Sequence, residues 1–214
     1  AKGSVQTCWK ILPKILKSEL SIPVKLESIV HLTANINYLL MAVLSIMIFP
    51  AMVVRHNLEW NGLQLVEILF FCTATLSLAN FYAFAQRQIH KDWFVRLKNV
   101  PILMALGIGL SVNNARAVIE AMFGRQTGFV RTPKYGVESS RDAWMGKRYR
   151  QEVVVQPFVE IGLGVYFVAA LFYALRNGIY STVPILFFFQ AGFFYTGALS
   201  IIQQLATKKV RLET

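Results

Sequence analysis

Hydrophobic positions in this chain fall into long unbroken runs rather than the alternation of a half-buried strand. Four of them, Ile29 to Val54, Gly62 to Gln86, Val155 to Leu175 and Ser181 to Leu205, are long enough to cross a hydrocarbon core as helices, which takes roughly 20 residues. A fifth run, Pro101 to Val112, has 12 residues and predicts an interfacial helix rather than a crossing. It is expected to continue through SVNNARAVIEAMF, where Arg116 and Glu120 stand four apart and can pair, until Gly124 stops it. Near the start, Val5 to Leu20 places apolar residues at 5, 8, 9, 12, 15, 16 and 20, with Lys10, Lys14 and Lys17 on the other side. That spacing predicts an amphipathic helix on an anionic membrane surface, Trp9 at headgroup depth, or one packed on a neighbouring domain. Pro13 is expected to kink or split it. The pattern therefore predicts an all-α membrane protein with four transmembrane helices, amphipathic interfacial helices and a cytoplasmic loop.

Charge fixes the orientation. The 214 residues are 55% hydrophobic and 15% charged, with a formal charge of +11 and a mean hydropathy of +0.48. Of the 22 Lys and Arg, 20 lie before the first span, between the second and third, and after the fourth, which leaves only Arg55 and Arg176 in the two short loops. By the positive-inside rule both termini and the long middle segment are cytoplasmic. A nucleic-acid binder would gather its charge on one coherent face, so the basic excess reads as topology and no nucleic-acid partner is expected. Cys8 and Cys72 are far apart and suggest free thiols, with no metal-ligand spacing. The start Ala1-Lys2-Gly3 has no signal-peptide pattern and suggests part of something longer.

Polar residues in the spans are the next candidates. His31 and Asn35 stand at i and i+4 in the first span, Glu67 and Asn80 lie in the second and Glu160 in the third. Groups of this kind face the bundle interior or water, and an ionisable one in a span points to a pathway. Glu67 and Glu160 are also near enough to a boundary to snorkel or be wetted. The chain has no GxGxxG, Walker loop or HExxH, and no carboxylate pair at a useful spacing for acid or base chemistry, so it offers no catalytic constellation and no metal site. Its polar middle segment contains GFVRTPKYG, Gly128 to Gly136, a basic loop broken by proline.

Four stretches in order carry a family likeness: AKGSVQTCWKILPKIL, HLTANINY, LGIGLSVNNARAVIEAMFG and GFVRTPKYG. Together they resemble the C-terminal transmembrane part of processive family 2 glycosyltransferases of the cellulose synthase type, in bacterial members. The resemblance covers essentially the whole chain. It implies a channel for a growing polysaccharide and a gating loop, Phe-x-Val-Thr-x-Lys, over the nucleotide-sugar site. Phe129, Thr132 and Lys134 match that loop, and Arg131 stands where valine is usual. Lys134 and the Thr132 hydroxyl suit a diphosphate, while Phe129 can exclude water.

The divisions implied are 1–28, interfacial helices after a catalytic domain; 29–86, the first transmembrane pair; 87–123, a cytoplasmic interfacial helix; 124–154, the gating loop; and 155–214, the second pair and tail. The family's metal-binding aspartates, its general base and its Gln-x-x-Arg-Trp motif belong upstream of residue 1. Hence no catalytic residue is assigned here, and a divalent cation, Mg or Mn, is expected in the upstream domain. A sugar polymer path should offer aromatic faces and hydrogen-bonding groups, for which His31, Asn35, Tyr38, Asn80 and Tyr82 are the candidates, with Phe71, Phe167 and Tyr195 behind them. The expected partners are a UDP- or GDP-sugar, the polysaccharide and anionic lipids, and the expected location is the bacterial inner membrane. A self-contained non-enzymatic channel or assembly subunit, and a glycosyltransferase acting on a lipid acceptor, are the alternatives.

Overall fold

The structure is a computed structural model that describes residues 1–59, 63–124 and 155–212, without the side chains of 63, 64, 67 and 206–212. Glu67, as a side chain, and the whole of GFVRTPKYG therefore lie outside the described residues. All regular elements among those described are helical: α1 (Lys2–Lys17), α2 (Ile22–Thr33), α3 (Ile36–Asn57), α4 (Leu63–Ile89), α5 (Trp93–Arg96), α6 (Val100–Gly109), α7 (Ser111–Met122), α8 (Gln156–Arg176) and α9 (Val183–Leu212). Short 3-10 turns occupy Leu97–Asn99 and Tyr180–Thr182. Proline opens several of them, Pro23 in α2, Pro101 in α6 and Pro157 in α8, where its missing N–H costs no helical bond.

This is an all-α multi-pass membrane architecture. The four expected spans appear as α3, α4, α8 and α9, and a fifth stretch, Trp93–Met122 across α5, α6 and α7, is also long and apolar enough to cross. The apolar run 101–112, expected at the interface, is packed into the bundle. Helix α6 lies along α9, and α7 along α3. The cause is a pair of glycines that bring two backbones together. A Cβ on Gly192 would overlap the Ala105 carbonyl, and one on Gly109 would overlap the Gly192 carbonyl and the Thr196 side chain. Nearby, Gly164 receives the Phe194 ring and Gly197 the Ile161 side chain, so α8 also closes tightly on α9.

The core of this bundle is aromatic. Phe167 stacks on Phe189 and Phe193 at centroid distances of 5.0 and 5.8 Å, and Met52, Ile108, Ala170, Ala174, Ile179 and Leu186 complete the buried cluster. Two buried hydroxyls are satisfied within their own helices: Ser45 Oγ donates to the Met41 carbonyl and Thr196 Oγ1 to the Gly192 carbonyl. Tyr166 Oη donates to the Ile46 carbonyl at 2.7 Å and ties α8 to α3. Between α8 and α9, Gly178 takes φ +70°, which lets the Ile179 N–H reach the Ala174 carbonyl at 2.8 Å and the Gly178 N–H reach that of Leu175. This pair of hydrogen bonds is a helix stop whose positive φ residues with a Cβ adopt poorly.

Helix α4 is the exception to this packing. Its contacts fall chiefly on α5 and the turn after it, and Phe70, Leu76, Phe81 and Phe84 are each about two-thirds exposed or more. Apolar exposure on every side is what lipid accepts and water does not.

Two sequence expectations are corrected. The first span starts at Ile36 rather than Ile29, because Thr33 to Asn35 forms a break: the Asn37 N–H bonds to Ala34 and the Tyr38 N–H to Asn35, three residues back. Asn and Thr compete for local backbone bonds and weaken helix continuity at such a place. His31 and Asn35 are thus not on one continuous helix. Helix α1 does run through Pro13. Trp9, whose carbonyl loses its partner there, is 64% exposed, so the missing bond falls on the outer side.

Candidate functional site

Functional interest centres on the end of the bundle where α1 meets α7. Val5 is 1% exposed and lies against Val118 and Ala121 of α7, with Leu39 of α3 beside them. Cys8, one turn further along α1, is also buried. Around this apolar contact sits a charged one. Glu120 receives Lys2 Nζ at its Oε2 and Arg116 Nε at its Oε1, both at 3.1 Å. The Arg116 to Glu120 pairing follows from the four-residue spacing, whereas Lys2 comes from 118 residues away and has no local signal. Together these contacts clamp the first helix to α7, which ends at Met122.

Past the clamp the chain leaves the helix at Gly124, φ +68°, the predicted stop, and enters 125–154. Phe129, Arg131, Thr132 and Lys134 are there, outside the described residues. The chain is described again from Val155. Gln156 Nε2 donates to Glu160 Oε1 at 2.9 Å, and the Glu160 carboxyl also neighbours Thr196. Glu160 is only 3% exposed, so it does not snorkel to water as its position near the end of the span allowed. Outside the spans, the hydrogen bond from Arg96 Nε holds the Asp92 carboxyl below the usual carboxylate range.

The other candidates are dispersed. His31 is exposed on α2, and Asn35 and Tyr38 are half-buried at the break before and the start of α3. Asn80 is exposed and Tyr82 half-buried on α4, which packs mainly on α5 rather than on α2 or α3. Phe167 is a core residue at 0% exposure and Tyr195 is 54% exposed. Among the described residues no group of His, Cys, Asp and Glu could hold a metal ion. Arg55, read as a residue of an outward loop, is instead in the last turn of α3 and 7% exposed.

The clamp can be tested directly. Val5→Asp should release α1, because an unpaired carboxylate against Val118 costs about 3 kcal/mol or more. In a Cys72→Ser background, Cys8 should then react with a water-soluble maleimide at least about tenfold faster, since the free energy of opening falls by that much. An unchanged rate would mean that α1 is held by something other than this contact.

Comparison with protein families, curated proteins and solved structures finds no match for this chain.

Proposed function

We propose that this chain is the membrane part of a processive family 2 glycosyltransferase of the cellulose synthase type, with 124–154 as the lid over a nucleotide-sugar site and the helices forming an exit path for a β-linked polysaccharide. The ordered sequence likeness suggests the family, and the observation that carries the reading is the clamp. Helix α1, which in this reading follows the catalytic domain, is fastened to α7, the helix that feeds the lid segment. A lid hung from a helix that is fixed to the catalytic side can order over substrate without moving the whole bundle. In this role Lys134 and Thr132 meet the diphosphate of a UDP- or GDP-sugar, Phe129 shuts out water, and Arg131 adds a second positive charge. The divalent cation and the general base belong to the upstream domain.

The polymer path would not run through the Phe167, Phe189 and Phe193 core, which is filled. It would follow the outer surface where His31, Asn35 and Tyr38 stand, with α4 and its Asn80 and Tyr82 as another wall. The charge bias supports cytoplasmic termini in a bacterial inner membrane, the side on which nucleotide-sugars are found.

The test is the coding sequence upstream of Ala1 together with the activity of the protein it completes. Asp-x-Asp and Gln-x-x-Arg-Trp motifs, and incorporation of labelled sugar into a long polymer by membrane vesicles, are the expected results. A short lipid-linked product would assign the lipid-acceptor activity instead. Neither motifs nor incorporation would leave a non-enzymatic membrane protein.

A further inference from the structure

Between α3, α7 and α8 runs an open groove of about 440 Å³, within the size range of small-molecule sites. Its walls are Ala42 and Ile46 from α3, Val112 and Ala115 from α7, and Val159 and Leu163 from α8. None of its lining residues is aromatic, and only Arg116 and Glu120 are polar. A sugar would find no ring faces and few hydrogen bonds there, while a hydrocarbon chain would find methyl groups on three sides. From Val112 to Glu120 the groove follows two turns of α7, about 12 Å at 1.5 Å per residue.

The charge at one end selects among hydrocarbon ligands. The Arg116 side chain is 60% exposed while bound to Glu120 through Nε. Helix α1, packed on this same end, presents Lys10, Lys14 and Lys17 on its exposed face. An arginine at the mouth of an aliphatic slot meets a phosphate, and the slot takes the chain attached to it. We propose that this groove seats one acyl chain of an anionic glycerophospholipid, with the phosphate at Arg116. The site uses neither the lid nor the polar path; it shares Arg116 and Glu120 with the clamp, and lipid retention is read without reference to the proposed activity.

The experiment is native mass spectrometry of the full chain in mild detergent, titrated with phosphatidylglycerol and with phosphatidylcholine of the same acyl composition. Wild type should retain one phosphatidylglycerol with at least fivefold preference. Arg116→Gln should abolish the preference while still retaining lipid. Val159→Trp, at a residue 48% exposed, should fill the groove and lower retention of both lipids at least fivefold. Ala169→Trp, exposed on the same helix, should leave retention as in wild type. Equal retention of the two lipids by wild type, or unchanged retention in Val159→Trp, would overturn the proposal. So would stronger retention of a prenyl phosphate, which would assign the groove to a lipid-linked sugar. Should Val159→Trp lose helix content by circular dichroism, the headgroup preference of wild type against Arg116→Gln decides alone.

Discussion

Gly192→Val should part α6 from α9 and lower the stability of the chain by about 3 kcal/mol or more. The atoms a side chain would meet are backbone atoms, the carbonyl of Ala105 and the nitrogen of Gly109, and neither can rotate away as the tip of a flexible side chain would. Overpacking usually costs 1–3 kcal/mol, and a clash with the backbone of the facing helix belongs at the top of that range. Separating the helices also strips contacts from Ile108, which belongs to the Phe167 cluster. Thermal unfolding in detergent is the measurement, and Gly162→Val is its control. Gly162 is an exposed α8 residue with nothing within 4 Å of its missing Cβ, so the same change there should leave the midpoint within a few degrees. Similar losses at both positions would show that close approach is not what makes Gly192 necessary.

The second large effect belongs to the proposed lid. If the completed protein is the glycosyltransferase proposed above, Lys134→Ala should lower its turnover roughly 10- to 100-fold, the worth of a charged hydrogen bond of about 1.5–3 kcal/mol. Initial rates over a range of nucleotide-sugar concentrations would reveal it. Arg131→Val installs the residue usual in the family this loop resembles, and its rate relative to wild type measures what the extra charge contributes. Wild-type kinetics in Lys134→Ala would remove the lid role from this residue.

Different parts of the structure differ in how plainly the sequence announces them, and the reason is the reach of the forces involved. The spans were legible because hydrophobic length and lysine placement are local properties that a bilayer reads directly. The Gly124 stop and the Arg116 to Glu120 pair were legible for the same reason, being set within one turn of helix. Position in the bundle was not. The run 101–112 reads as an isolated apolar piece until Gly109 is seen to meet Gly192, a contact that no local pattern encodes. The signal was there in part, since glycines at 109, 164, 192 and 197 are costly in helices that need no close neighbour. The clamp shows the same division. Amphipathic spacing marked Val5 and Cys8 as buried against something, yet only the fold shows that the something is Val118 and that Lys2 finds Glu120. The break at Thr33 to Asn35 was missed because the polar residues there, His31 and Asn35, were read as the interior face of one span rather than as a helix stop, where the backbone bonds change partners.

The bonded turn at Gly178 bears on how the bundle comes to exist. Helices α8 and α9 are joined by a few residues and carry their own seam at Gly164, Gly197 and the stacked phenylalanines. Loop-closure entropy is smallest for such a neighbouring pair. The two helices can therefore enter the bilayer as a preformed hairpin, the most local assembly step the chain offers. Helix α6, synthesised earlier, must wait for it. During translation the face carrying Ala105 and Gly109 stays uncovered until Gly192 has emerged, so the close backbone approach of α6 to α9 is also among the last contacts to form.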